Sequence, residues 1–210
     1  QELQKLLWSQ ATHIYREELA QPDKALDAAL RLLASDLRNR DALAQIEESV
    51  TQSGQWPRLS HVYDRLIKAA IHDHERTELL VRYAELLEHR AGKPDEALNM
   101  ILQACALAPD DEMLLAQAEK LAVSCDRSAD LLAMCDRQAA TANEPNIQVE
   151  WLLRGARFAS ATADDRSATY AYLEAALTAA RTDASLWERR VSLAQRLDAK
   201  AEDAEHSHLL

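Results

Sequence analysis

The chain has 210 residues, 48% of them apolar, with only three Gly and five Pro, and its 35 acidic against 24 basic side chains leave a formal charge of −11. No run of Lys or Arg interleaves with aromatics, which argues against nucleic acid as a ligand. No apolar stretch reaches the ~20 residues that cross a bilayer, and the start does not resemble a signal peptide.

Ala, Leu, Glu, Gln and Arg dominate while β-branched and aromatic residues are sparse, so an all-α chain is expected. Blocks of sequence return at a spacing of 72. Pro22-Asp23-Lys24-Ala25-Leu26 reappears as Pro94-Asp95-Glu96-Ala97-Leu98, and Leu43-Ala44-Gln45 as Leu115-Ala116-Gln117. Glu78 and Leu80 return as Glu150 and Leu152, Asp64-Arg65 as Asp136-Arg137, Arg82 as Arg154, and Asp111 as Asp183. A period of this length marks stacked supersecondary units, none of which buries its apolar face alone. Halved, it gives helical hairpins of about 35 residues.

In chain order the units are read at 5–39, 40–76, 77–111, 112–148 and 149–183, followed by a helix near 184–197 and a polar tail over 198–210. The third unit shows the logic best. Leu80, Tyr83, Ala84 and Leu87 form one helical stripe, and His89-Arg90-Ala91-Gly92-Lys93 breaks it. Pro94 opens a second helix because its missing N–H costs nothing in the first turn, and Asp95 and Glu96 suit the positive end of the helix dipole. Ala97, Leu98, Ile101, Ala104 and Cys105 share a face of that helix, which Pro109 ends.

These residues resemble the tetratricopeptide repeat, a motif of about 34 residues with large, medium and small side chains on its first helix and Ala, aromatic, Ala, Pro on its second. The third unit matches through Leu80, Tyr83, Ala84, Leu87, Ala97, Ile101, Ala104 and Pro109. The second matches through Leu43, Ile46, Val50, Gly54, Trp56, Leu59, Tyr63 and Leu66, and the fifth through Leu152, Gly155, Ala156, Ala159, Ala168, Tyr172 and Ala175. Ala25 and Ala29 set the first unit in this frame, and Ala25, Ala97 and Ala168 are read as the close-approach seam. The fourth unit departs furthest, with Leu131, Cys135 and Gln138 at the family's Ala, aromatic and Ala places. The first and third units carry an extra residue between helices, and the second and fourth have long exits over 71–76 and 141–146. The resemblance implies a right-handed α-solenoid of antiparallel helix pairs, a superhelix of about five and a half repeats.

It also implies a concave protein-binding groove lined by first helices. The residues that would face it are His13 and Arg16, Glu48, Glu78, Glu85, Glu88 and the adjacent His89, Lys120, Glu150 and Arg157, and Glu188. Their acidic centre suits a basic or amphipathic peptide or helix of a partner protein, with charge serving the encounter rate. Solvated helix faces in an acidic protein are the plain alternative. Ser9, His13 and Arg82 lack the paired Lys and Asn of the subclass that clamps a C-terminal carboxylate.

Catalytic apparatus is not visible, since no nucleophile, base and orienting group recur with a supporting motif and three Gly build no phosphate loop. His72, Asp73, His74 and Glu75, or His206 and His208, make a weak metal signal against simple solvation, so neither metal nor cofactor is expected. Cys105, Cys125 and Cys135 lack CxxC spacing and read as core thiols. They favour a reducing compartment such as the cytoplasm. The start at Gln1 also fits a processed piece of something longer, which keeps the periplasm open. Trp56 and Trp187 are read as core, while Trp8 and Trp151 are balanced between core and interface. The second functional reading is a structural or self-associating solenoid segment of a larger envelope export or assembly machine, with homo-oligomers formed through terminal repeats. Exposed Leu3, Leu6 and Leu7, or an unpaired helix holding Trp187 and Val191, would favour it, because true ends need a polar face.

Overall fold

The computed structural model describes residues 2–162, 166–181, 186 and 192. It is all-helical, with no strand among the described residues. Among the described residues ten α-helices follow one another: α1 Glu2–His13, α2 Pro22–Ser35, α3 Arg40–Ser53, α4 Trp56–Ala69, α5 Asp73–Leu86, α6 Pro94–Leu107, α7 Glu112–Ser124, α8 Ser128–Thr141, α9 Pro145–Thr162 and α10 Arg166–Ala180. They form two compact units, Gln1–Ala108 with α1 to α6 and Pro109–Leu210 with α7 to α10.

Helix starts from α2 to α6 each recur 72 residues later, at Pro22 and Pro94, Arg40 and Glu112, Trp56 and Ser128, Asp73 and Pro145, and Pro94 and Arg166. Local chemistry accounts for this. Asn39 Oδ1 accepts from the Ala42 N–H at 2.9 Å, and 72 residues on Asp111 Oδ1 accepts from Met113 and Leu114 at 3.0 and 3.2 Å. Both side chains satisfy amides that a helix start leaves without partners.

Helix ends follow the same rule. Among the described residues, those with left-handed backbone are Ala20, Gly54, Gly92 and Asp126, at φ of 48°, 72°, 64° and 55°. They pair as 20 with 92 and 54 with 126, again 72 apart. The extra residue of the first and third units is absorbed in π turns at Ile14–Glu18 and Leu87–Ala91. A wide backbone bond closes each: Gln21 N–H to Tyr15 O at 2.8 Å and Lys93 N–H to Leu87 O at 2.9 Å. Glycine takes the left-handed conformation without penalty, whereas a Cβ is crowded there. Ala20→Gly is therefore expected to stabilise the chain by about 0.5–1 kcal/mol and Gly92→Ala to destabilise it by a similar amount. A Cβ at Gly92 would meet nothing within 4 Å, so the penalty there is conformational alone. Thermal unfolding of the two variants checks this, and shifts of the same sign would contradict it.

Within each unit, packing runs mainly between helices adjacent in sequence, and α7 also touches α9. In the first unit the core gathers Ala25, Leu26 and Ala29 of α2, Ile46 and Val50 of α3, Leu59 and Tyr63 of α4, Leu80, Tyr83 and Ala84 of α5, and Ala97, Ile101 and Ala104 of α6. Alanine at the contact lets helix axes approach to the ~8–10 Å that side-chain interdigitation needs. In the second unit α7 contributes Leu115, Ala118 and Ala122, α8 Leu131 and Cys135, α9 Trp151, Ala156 and Phe158, and α10 Leu173 and Ala176.

The structure departs from the sequence reading at three places. In α10 the buried residues include Thr169, Leu173 and Ala176, whereas Ala168 and Tyr172 are half-buried and Ala175 is exposed. The register of Ala97, Ile101 and Ala104 is thus carried forward by 72 residues, and Thr169 takes the seam position in place of Ala168. Trp56 is half-buried rather than core, while Trp151 is the largest fully buried side chain. The exits are shorter than read because α5 starts at Asp73 and α9 at Pro145. Gly54 lies in the turn between α3 and α4, as its sequence neighbourhood Ser53-Gly54-Gln55-Trp56 implies, and caps α3 in the left-handed conformation. Trp187, Val191 and the tail over 198–210 lie outside the described residues.

Candidate protein-binding surface

The groove candidates within the described residues all lie on the odd-numbered helices or the π turns that extend them. In the first unit His13 closes α1, Arg16 lies in the following π turn, Glu48 is on α3, and Glu78 and Glu85 are on α5 two turns apart. All five are exposed. Glu88 and His89 belong to the second π turn, where Glu88 is half-buried and its Oε2 lies 3.9 Å from His89 Nε2. Arg16 Nε donates to the neighbouring Glu17 at 2.7 Å. In the second unit Lys120 is exposed on α7 and Glu150 half-buried on α9, with Arg157 exposed two turns further along. The Arg157 guanidinium lies over the Phe158 ring at 5.0 Å and 3.9 Å from Glu112. Glu188 falls outside the described residues.

The 72-residue register changes sign across these positions. Glu48 corresponds to Lys120 and Glu85 to Arg157, while Glu78 and Glu150 keep their charge. Most buried positions keep an apolar residue at the same offset, as with Ile46 and Ala118 or Leu43 and Leu115, while Ala97 is replaced by Thr169. Packing therefore constrains one face of each helix, and the changes of charge fall on the other.

The most elaborate polar cluster involves Glu47, one residue before the exposed candidate Glu48. Glu47 keeps only 8% of its surface. Its Oε1 accepts from the Tyr63 hydroxyl at 2.5 Å and from Arg82 Nε at 2.8 Å, and its Oε2 from Arg82 Nη2 at 2.6 Å. Three donors compensate a buried carboxylate, and the bidentate Arg geometry supplies the counter-charge. Burial, then the hydrogen bond to Glu47, push the Tyr63 phenol well above its ordinary range. The Tyr63 ring also stacks on Tyr83, centroids 4.5 Å apart at 12°. The cluster ties α3, α4 and α5 together. The sequence holds a signal for it, since Glu47 falls on the stripe of Leu43, Ile46 and Val50, where an acid needs a partner.

A second unanticipated feature lies on the even helices. Leu30, Leu33, Ala34 and Leu37 with Val62 floor a shallow furrow of about 250 Å³ between α2 and α4, rimmed by Arg58, His61 and Arg65. Arg58 is tied to Asp27 at 2.9 Å, which neutralises part of the rim.

His72 precedes α5, and His74 and Glu75 are in its first turn rather than in a loop. The two imidazoles stack with centroids 5.6 Å apart. Among the described residues no group of three or more His, Cys, Asp or Glu could hold a metal ion. Cys105 and Cys135 are buried and Cys125 is half-buried. No helix of the described residues is long and apolar enough to cross a membrane.

No protein-family model matches this chain, and no curated protein matches it significantly.

Proposed function

We propose that the chain is a non-enzymatic protein-interaction module, a right-handed, tetratricopeptide-like solenoid of about five and a half repeats that holds a peptide or helix of a partner against its first helices. The solenoid reading draws on neighbour-to-neighbour packing and on helix starts and caps that recur at 72 residues. The observation that carries the functional reading is the exposed charge on the odd helices, acidic at Glu48, Glu78 and Glu85 and basic at Lys120 and Arg157. A repeat used only as a spacer has no need of that contrast. The segment bound by α3 and α5 is basic and amphipathic.

Titration with a Lys- and Leu-containing amphipathic peptide tests this. The triple variant Glu78→Lys, Glu85→Lys, Glu88→Lys is expected to lose about tenfold or more in affinity while keeping its helical circular dichroism, and the wild-type affinity to fall with added salt. Equal affinity for both proteins would reduce the acidic side chains to solubilising surface.

A structural role, as one segment of a larger envelope export or assembly machine, is the second reading, and the exposure of Leu3, Leu6 and Leu7 favours it.

A further inference from the structure

The furrow between α2 and α4 lies on even-numbered helices, whereas the groove candidates lie on the odd-numbered ones. Its floor is aliphatic over about two helical turns. Leu30, Leu33 and Ala34 come from α2, Leu37 from the turn that follows, and Val62 from α4. Leu33 and Val62 are buried, but Leu30 and Leu37 are half-buried and Ala34 is exposed, so apolar surface is left facing water. The rim along α4 is Arg58, His61 and Arg65, and steps of three and four residues put all three on one face of that helix.

The acids nearest the furrow already have partners. Asp27 holds Arg58, and Asp36 past the end of α2 holds Lys5. Arg31 is turned away over the Trp8 ring. Arg65 is exposed and pairs with no carboxylate among the described residues. An open apolar strip is thus edged by an uncompensated guanidinium, with the His61 imidazole one turn before it, on a chain of formal charge −11. The repeat accounts for the floor and not for this edge. At an offset of 72 the floor residues become Leu102, Cys105, Ala106, Pro109 and Met134, all apolar, whereas Arg58 and His61 become Asp130 and Ala133 and only Arg65 is kept, as Arg137. Stacking of units calls for apolar residues at such places but for no row of cations beside them.

We propose that this furrow binds an acidic amphipathic helix of a partner protein, as a second recognition surface that does not depend on the odd-helix groove. Charge selects the occupant. A basic helix would meet Arg65 with like charge, and a neutral one would cover the guanidinium without replacing its water. A second copy placing the same furrow across a two-fold axis would bring Arg58 and Arg65 against their own equivalents. Size separates a helix from a small amphiphile. About 250 Å³ is less than the ~300–1,000 Å³ of sites that enclose a ligand, whereas a floor two turns long takes the aliphatic anchors of a helix laid along it. The cations stand on the α4 side alone. The partner's Leu- or Met-type anchors, three and four residues apart, therefore rest on the floor, and its Asp and Glu fall on the flank above α4, where Arg65 donates to them.

Fluorescence anisotropy of the whole chain with a labelled synthetic peptide tests the assignment. The probe is a helix of about 14 residues with Leu three and four apart on one face and Glu along one flank, and a neutral probe has every Glu changed to Gln. The acidic probe is expected to bind on the order of 10–100 µM, to weaken as salt is added, and to bind at least tenfold more tightly than the neutral one. Arg65→Glu and Ala34→Glu should each weaken it at least tenfold with unchanged helical circular dichroism, since both positions are exposed. The basic peptide of the odd-helix surface should bind both variants within about twofold of wild type, so the two readings fail separately. No binding of the acidic probe up to about 1 mM, equal affinity for the neutral probe, or affinity untouched by both variants would overturn the proposal. So would a wild type that leaves the probe free yet binds decanoate, or that dimerises through the same two positions.

Discussion

Replacing Trp151 by alanine is expected to remove about 3–5 kcal/mol from the unfolding free energy, the largest single effect anticipated in this chain. Trp151 is 2% exposed, and its helix packs against both α8 and α10. The loss combines transfer of a large indole with a cavity that the surroundings cannot close. Arg154 is the reason they cannot. Its guanidinium lies 4.8 Å over the indole, but it is also held by Pro109 O at 2.8 Å and Glu112 at 3.0 Å, so it does not follow the retreating side chain. Trp151→Phe keeps most of the volume and should lose about 1–2 kcal/mol. One period earlier the same place holds Leu79, which is half-buried, so Leu79→Ala should lose clearly less than Trp151→Ala. Urea unfolding followed by far-ultraviolet circular dichroism ranks the three variants. An unchanged midpoint for Trp151→Ala would mean that the indole lies at the surface.

Glu47→Ala should destabilise the first unit by about 2–3 kcal/mol. Truncation strands the buried Tyr63 hydroxyl and deprives Arg82 of its bidentate acceptor. The magnitude is below that of a fully buried pair because the Arg82 side chain is 44% exposed against 10% for Glu47, and the freed guanidinium can turn to water. Arg82→Ala acts in the other direction, leaving the carboxylate where water barely reaches it, and should cost at least as much. Equilibrium unfolding of both single variants and the double variant gives the coupling energy, expected at about 1–3 kcal/mol. Strict additivity would show that the pair contributes nothing beyond its separate members. Exposed Glu48→Ala is the control, with a change within about 0.5 kcal/mol.

Glu47 and Glu48 also mark the limit of reading function from spacing. The adjacent acids have opposite environments, because successive helical residues point about 100° apart. Glu48 was visible as a surface candidate from its place in the unit. The role of Glu47 depends on Tyr63 and on Arg82, 16 and 35 residues away, and no local pattern joins three such residues. Thr169 shows the same limit in the core. Next to Ala168, a threonine reads as the more polar and less suitable seam residue, and a one-residue shift between two small side chains leaves periodicity almost unchanged. Packing of α10 on α9 selects Thr169, and the Tyr172 ring then covers Gly155, where a Cβ would lie 2.5 Å from it. The π turns escaped in a different way, since an extra residue is countable in the sequence but whether it widens a helix or lengthens a loop depends on what packs around it.

Many helix starts and stops are set by nearby sequence here, because proline, the Asn39 and Asp111 caps and the left-handed residues act through backbone groups only a few positions away, although the starts of α5 and α9 were not read from it. The 72-residue period is legible for the same reason, as it repeats those local signals. Which face is buried, which acid finds a cation, and which aromatic becomes core were decided by tertiary structure. The free energy of burial depends on what lies opposite a side chain, and for Glu47, Trp151, Thr169 and the outward leucines of α1 that neighbour is distant in sequence or missing from the described residues.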